Sequence, residues 1–574
     1  MKKILLLSIY ILTALTVPAQ TGDSTLNGLL RAIWNFRERK EKRDSLLNHP
    51  LGSNTEDDYL RWYTFYDSVN NQLNQVDQSA LAFNDQVNLE LLKYSIEDEI
   101  YPYKYKAHLN PILAESGFHT ELVSMASQIM TSKKDFDDYI NRLRDIPRFV
   151  NENLELMRRG LKLGISQPMA VLTNYNYTYD QHIVTDHEQS GFWKPFQKKP
   201  SQISEEDWKK ITGDGKQAIL QQVIPAFKSI KVFFESEYYP TTRRTIGVSN
   251  FPNGLEYYKE LVRHYTTTNL GYDEIFEIGQ KEVQRINQEM WDVIREVNFK
   301  GDLQEFIAFL RTDPKFYATT AKELLKEASF IAKKIDGKLP QFFGRLPRQP
   351  YGVEPVPAHL APTYTGGRYS PSPIKGRRAA FYWVNTYDLK SRPLYTLESL
   401  TLHEAVPGHH LQIALTQELD SLPAFRKNLY VNAFGEGWGL YSEWLGKEMG
   451  LYTDPYSRFG RLTYEMWRAC RLVIDVGLHA KGWTREQAVQ YLSENTALSL
   501  HEVNTEINRY ISWPGQALAY KIGELKIKEL RKRAEDALKE KFDLREFHDL
   551  VLSQGTVTLS ILEKMVDRWI ENKK

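Results

Sequence analysis

The sequence predicts a mainly α fold, one large helical architecture with a small β-sheet. Three observations lead there. Apolar residues recur at helical spacing along much of the 574 residues. The best strand candidate is the short segment Ala-Ala-Phe-Tyr-Trp-Val-Asn at 379–385. No Pro/Gly/Ser linker clearly divides the chain, and no internal repeat or low-complexity tract is present.

Taken in order, the chain opens on a basic start, Lys2 and Lys3, followed by a mostly apolar stretch at 4–17. Val17-Pro18-Ala19 then offers small residues for cleavage, so residues 1–19 read as a secretory signal peptide. An uncleaved anchor is the alternative, but the run is shorter than the ~20 residues a bilayer span needs. No later run is as long, so the mature chain is expected to be exported to the periplasm or beyond, without membrane insertion. The only cysteine is Cys470, so no intramolecular disulfide is expected, and no cysteine follows the signal to carry a lipid there. Cys470 itself falls in a helical apolar pattern and reads as core.

Helices are expected at 87–101, 136–162, 273–297, 303–310, 319–335, 461–479 and 520–541. Residues 164–200 are rich in Tyr, Asn, His and Gly, and read as a long surface excursion. Residues 339–373 carry many prolines and glycines and break the rhythm again, just before the strand. Residues 213–216, Gly-Asp-Gly-Lys, read as a polar turn. Residues 20–574 therefore form one helical domain, with room for two lobes around a cleft.

Composition narrows the function. Charged residues at 26% and hydrophobic residues at 42% exclude a disordered chain, a collagen-like repeat and a coiled-coil rod. Lys plus Arg is 74 against 73 for Asp plus Glu, so nothing favours nucleic acid or an anionic membrane. Aromatic residues at 12% suit a large core and a cleft that grips extended ligands. No GxSxG elbow and no phosphate-binding loop occurs.

The chemistry concentrates after the strand, in the run 397–410, which ends His403-Glu404-Ala405-Val406-Pro407-Gly408-His409-His410. Catalytic zinc wants three protein ligands and one open position. In HExxH both histidines share a helix face and the glutamate acts as general base. Here His409 is six residues from His403, roughly 120° off that face, and His410 is seven away, nearly on it but about 10.5 Å along the axis. Neither fits a regular helix. Pro407 has no N–H and clashes with the carbonyl of His403, so Pro407-Gly408 should widen or break the turn and return His409 toward His403. His410 would then contact substrate or orient a ligand, although His410 as ligand stays open. The third ligand should be a carboxylate downstream. Glu436 and Glu443 in Phe434-Gly-Glu-Gly-Trp-Gly-Leu-Tyr-Ser-Glu443 share a helix face two turns apart. One can bind metal while the other orients a histidine. Three glycines in that run suggest close backbone approach. The pairs His187-Glu188 and His501-Glu502 have no such company and read as incidental.

These residues resemble a known family. HEAVPGHH, EGWGLYSE and Trp513-Pro-Gly-Gln-Ala-Leu-Ala-Tyr-Lys-Ile-Gly523 look like the bacterial domain of unknown function family 885, itself similar to the gluzincin zinc metallopeptidases. The resemblance covers most of the mature chain. It implies a gluzincin-like helical peptidase with its small sheet lining the active-site cleft. It also implies one Zn2+ per chain held by His403, His409 and Glu436, with Glu404 as general base. Glu436 follows His409 by about the interval at which thimet-oligopeptidase-like enzymes place their zinc-binding glutamate. The lengthened spacing departs from plain HExxH, as it does in dipeptidyl peptidase three.

On that reading an exported zinc peptidase cleaves short peptides by attack of an activated water. Tyr520 is the first candidate to stabilise the oxyanion and His479 the second. His479 ends a polar stripe, Arg471, Asp475 and His479, which a solvated ion-paired helix face would also explain. Arg471 and Arg509 could hold a substrate carboxylate, and the 381–385 strand could add an extended peptide at its edge. The alternatives are a metal-dependent non-peptide amidase or lyase on the same site, and a catalytically silent protein that binds peptides or glycans. An intact Glu404 argues against the last.

Overall fold

Helices begin where the sequence offers a cap. Thr55 accepts from the N–H of Asp58, and the Asp58 side chain reaches back to the N–H of Thr55, at the start of the helix Glu56–Asn74. Ser132 with Asp135 and Asp302 with Glu305 repeat this arrangement. The computed structural model describes residues 22–574 apart from 359, 374, 375 and 377. The expected signal peptide lies outside the described residues. Those residues are mainly helical, with one three-stranded sheet, as expected. They divide into two compact units.

The first unit holds the described residues up to 245 together with 251–253. Its long helices are α1 (Ser24–Leu46), α2 (Glu56–Asn74), α3 (Phe83–Lys104), α4 (Lys133–Lys162), α5 (Glu205–Ala218) and α6 (Ile224–Phe233). Helix α2 packs on α3, and α4 packs on α5 and α6. Residues 164–200 are not a surface excursion. Tyr175, Tyr179, Phe192 and Phe196 are buried, and the Tyr139 hydroxyl of α4 donates to the carbonyl of Phe192 at 2.8 Å. Tyr179 lies on a four-residue helix and Phe192 and Phe196 on the 3-10 segment Gly191–Gln197, pieces too short for helical periodicity to detect. Residues 213–216 are likewise no turn but lie inside α5, where Gly215 leaves space for the ring of Phe196.

The second unit holds 246–250 and 254–574. Its helices are α7 (Gly254–Thr266), α8 (Tyr272–Glu296), α9 (Leu303–Thr312) and α10 (Ala321–Asp336), then α11 (Leu397–Glu404), α12 (His409–Gln417), α13 (Asn432–Leu445) and α14 (Pro455–Ala480). The chain closes with α15 (Arg485–Asn495), α16 (Leu500–Ser512), α17 (Ala519–Leu538), α18 (Leu544–Leu552) and α19 (Leu559–Lys573). Two pairings form the scaffold, α8 along α14 and α13 along α17. The proline- and glycine-rich stretch before the expected strand supplies two further strands. They are β1 (Tyr351–Pro355) and β2 (Gly367–Ser370), and the expected strand is β3 (Ala380–Val384). The order is β1-β3-β2, with β3 parallel to β1 and antiparallel to β2. Tyr369 of β2 pairs with Tyr382 of β3, and Gly367 with Val384. Since β3 is central, both of its edges are bonded. The expected addition of a peptide to β3 has no free edge to use. Cys470 is buried in α14.

Candidate metal centre

Helix α11 ends at Glu404 and α12 starts at His409, so the chain breaks at Pro407-Gly408 as expected. The linking turn is held from outside, where the Trp438 indole N–H donates to the carbonyl of Pro407 at 2.8 Å. This break turns the His409 imidazole back to His403, with ring centroids 4.8 Å apart. Glu436 arrives from α13. Its Oε2 lies 3.6 Å from His403 Nε2 and 3.4 Å from His409 Nε2. The ligand atoms of His403, His409 and Glu436 all lie within 4.8 Å of one another, and the three side chains are buried. Tetrahedral zinc with bonds of about 2.0–2.1 Å would space its ligand atoms by roughly 3.3 Å, close to the two measured separations.

The surroundings fit a cation. Glu443, two turns beyond Glu436 on α13, accepts from His403 Nδ1 at 2.8 Å, which leaves Nε2 facing Glu436. Arg468 of α14 lies 3.1 Å from that same Glu443 oxygen. The Tyr430 hydroxyl donates to Oε1 of Glu436 at 3.0 Å, which leaves Oε2 for the histidines. Burial disfavours a charge on His403, but the hydrogen-bonded carboxylates of Glu436 and Glu443 outweigh it and hold its proton up to about 10. Burial would raise the Glu436 carboxyl, yet the two histidines hold it well below the usual carboxylate range. The pocket is thus built for a positive charge, which a metal ion can supply in place of protons.

Close helix contacts put these groups in place. A Cβ on Gly439 would lie 2.6–2.9 Å from the His403 imidazole, so only glycine lets the ring lie flat on α13. A Cβ on Gly437 would lie 2.5 Å from the backbone of Gly523, where α13 and α17 touch.

Glu404 sits at the end of α11, and its Oε2 accepts from the backbone N–H of Tyr369 on β2 at 2.7 Å. The small sheet therefore borders the site through β2. Arg368, next on β2, is exposed, and its guanidinium donates to the Tyr364 hydroxyl at 3.3 Å. The Tyr520 ring stacks 6.4 Å from His403, and its hydroxyl accepts from Arg509 at 3.3 Å.

The remaining sequence candidates are placed differently. His410 points away from the cluster of His403, His409 and Glu436. Its Nδ1 meets the Tyr369 hydroxyl at 3.2 Å and its Nε2 the carbonyl of Gln349 at 3.0 Å, and burial pushes its pKa down to about 4. A neutral ring with both nitrogens engaged has no lone pair to offer a metal or a substrate. His479 is fully buried. Its Nδ1 accepts from the N–H of Val248 at 3.1 Å and its Nε2 donates to the carbonyl of Tyr510 at 3.0 Å, which withdraws it as an oxyanion donor. Arg471 is also buried, donating to Glu506 at 2.9 Å and to the Tyr510 hydroxyl at 2.8 Å, with Tyr520 over its face. Its carboxylate partner is Glu506 rather than a substrate. Arg509 shares Glu506 at 3.4 Å, donates to Gln516 at 2.7 Å and positions Tyr520. The stripe Arg471, Asp475 and His479 is therefore a buried structural seam rather than a solvated face.

Tyr369, Tyr430, Arg368 and Arg468 also border the cluster, without any motif in the sequence that marks them. Arg468 alone left a signal, lying one turn before Arg471 on the same stripe.

The family model described as "Bacterial protein of unknown function (DUF885)" matches residues 41–566. The chain belongs to the DUF885 family. No curated protein matches it. The crystal structure of a candidate lipoprotein from Colwellia psychrerythraea is similar, at 30% identity and a TM-score of 0.81, over 90% of this chain and 92% of that one. A candidate lipoprotein of unknown function from Shewanella oneidensis shares the fold at 15% identity and a TM-score of 0.69, over 95% of this chain and 100% of that one. Among the described residues of this DUF885 chain, no helix is long and apolar enough to cross a membrane.

Proposed function

We propose that this DUF885 chain is an exported zinc-dependent hydrolase that cleaves peptide bonds in short peptides. The observation that carries the reading is the convergence of His403, His409 and Glu436 beside a Glu404 carboxylate held by the Tyr369 N–H. Zinc held by those three side chains would supply Lewis acidity, lowering the pKa of water and polarising a carbonyl. With Oε2 engaged by Tyr369, Glu404 keeps Oε1 to take a proton from the attacking water. Glu404 then hands that proton to the leaving nitrogen as the C–N bond breaks, and a carboxylate and an amine result. Tyr520, held by Arg509, donates to the oxygen that gains negative charge. Glu443 and Arg468 hold the His403 ring in one orientation throughout.

Two features support a peptide as substrate. Strand β2 lies at the sheet edge beside Glu404, where an extended backbone can pair. The oxygen, nitrogen and carbon that change bonding in amide hydrolysis match the general-base and oxyanion groups present. Export is supported by the basic start and apolar run before Ala19, and by the lipoprotein description of the structural relatives.

The test is a peptide-library digest read by mass spectrometry, with and without chelator, alongside elemental analysis. About one zinc per chain and chelator-sensitive cleavage are expected. Bound metal without cleavage points to a non-peptide amide or a lyase substrate. Protein that takes up no transition metal even after reconstitution overturns the reading.

A further inference from the structure

The arginines near the cluster of His403, His409 and Glu436 are not equally engaged. Arg468 lies 3.1 Å from Glu443, and Arg471 and Arg509 share Glu506 at 2.9 and 3.4 Å. Arg368 of β2 differs. Among the described residues no carboxylate lies within ion-pair distance of it, and its Nη1 donates instead to the neutral Tyr364 hydroxyl at 3.3 Å.

Arg368 is tied to the site. The next residue, Tyr369, is the one whose N–H holds Glu404 Oε2 at 2.7 Å, and consecutive Cα atoms are only ~3.8 Å apart. The Tyr369 side chain is buried beside His410, so strand alternation sends Arg368 out of the opposite face, where it is exposed. Glu404 and Glu436 both act on its charge through space, which puts the guanidinium near both carboxylates. The loop that carries Tyr364 is itself fixed. Asn385, directly after β3 and fully buried, donates its side-chain amide to the carbonyls of Ala361, Tyr364 and Thr365 at 2.9–3.0 Å. A guanidinium that is accessible, steadied by a fixed hydroxyl and short of an anion suits a carboxylate, which accepts two parallel N–H donors from it. Glu443 balances Arg468, and a divalent ion would balance Glu404 and Glu436, so the charge of Arg368 is left for a ligand.

We propose that Arg368 binds the C-terminal carboxylate of the peptide, so that the hydrolase removes residues from that end. The proposal rests on the peptidase reading above. The reacting bond then lies close to the chain end, because Glu404 is held one residue away from Arg368. Water adds across that bond, its hydroxyl going to the acyl carbon and its proton to the leaving nitrogen. The released fragment keeps the carboxylate that Arg368 holds. An Asp or Glu side chain offers the same group, and the test separates the two sources.

The experiment uses the zinc-loaded full chain and two peptide libraries of the same sequences, one with free C-terminal carboxylates and one with C-terminal amides. Wild type should shorten the acids from the C-terminus at least roughly tenfold faster in kcat/KM than the amides, the loss expected when a charged hydrogen-bonded pair is removed. Arg368→Met should abolish the difference, and Arg368→Lys should restore part of it. Binding is read separately by equilibrium dialysis of zinc-loaded Glu404→Gln, which holds peptides without consuming them. It should retain acids over amides by a similar factor, and Arg368→Met in that background should retain both alike. Arg368 is exposed on an edge strand, so zinc content and melting temperature should not change in its variants. Cleavage of both libraries at equal rates, or equal retention of the two, overturns this proposal and leaves the hydrolase standing. So does a preference for acids that survives Arg368→Met, or retention of Asp- and Glu-containing amides as strong as that of the acids. No cleavage of either library overturns the hydrolase, and retention still judges Arg368.

Discussion

Two adjacent histidines, His409 and His410, have opposite surroundings. His409 Nε2 lies 3.4 Å from Glu436, whereas His410 is closed off between Tyr369 and Gln349. On the proposed zinc-hydrolase reading, His409→Ala should therefore empty the candidate metal site, since two ligands bind zinc far more weakly than three. His410→Ala should keep the metal and instead cost stability, about 1–3 kcal/mol, through the two partners it leaves buried. Glu404→Gln should retain full zinc and lose roughly 10²–10⁴ in turnover, because the amide cannot take the proton. Zinc stoichiometry measured beside rates decides each case. Full occupancy in His409→Ala, or an empty site in His410→Ala, would contradict these assignments.

At the scale of elements, the site depends on two helix contacts. Helix α13 carries Glu436 and Glu443, and it meets α17 where Gly437 faces Gly523. A methyl on Gly437 would fall 2.5 Å from the Gly523 backbone, and neither backbone can yield as a flexible side chain would. Gly437→Ala should force α13 and α17 apart, cost about 1–3 kcal/mol of stability in urea unfolding, and weaken zinc binding by displacing Glu436. Normal stability and occupancy in that variant would show that the helices can separate at no cost. Helix α14 supplies the other support. Its buried polar residues each meet a different neighbour: Arg468 reaches Glu443 of α13, Arg471 reaches Glu506 of α16, and Asp475 accepts from Tyr258 of α7 and the N–H of Gly515. A polar stripe at helical spacing is thus compatible with a core when the partners arrive from several helices.

Across the second unit as a whole, Asp475 links stability to pH. Burial pushes its carboxyl up to about 7, although Tyr258 and Gly515 pull it down. An unfolded aspartate titrates near ~3.9. Between those values the folded unit holds more protons than the unfolded chain, so this residue's contribution falls as pH rises. The loss is at most about 1.4 kcal/mol per pH unit, absent below pH ~4 and complete above about 7. Asp475→Asn keeps an acceptor for both donors and cannot ionise. The stability difference between variant and wild type should therefore grow in favour of the variant from pH 4 to 7, followed by thermal melting. A pH-independent difference would show that Asp475 does not titrate on unfolding.

Helices were legible from apolar spacing, and so was much of the centre. His403, Glu404 and the Pro407-Gly408 break are local features, and the two-turn spacing of Glu436 and Glu443 puts both on one face of any helix that contains them. That face needs only one helix, which is why two carboxylates directed to the same histidine cluster, Glu436 beside His403 and His409 and Glu443 on His403 Nδ1, could be expected before the fold. Other features needed the chain to meet itself. Neighbouring helical residues point about 100° apart, so the path of 405–408 decides that His409 and not His410 turns to Glu436. Tyr369 reaches Glu404 because β2 pairs with β3, and Arg468 reaches Glu443 because α14 crosses the site. The aromatic stretch at 164–200 is core for the same reason, since burial depends on what packs above a residue and not on its periodicity.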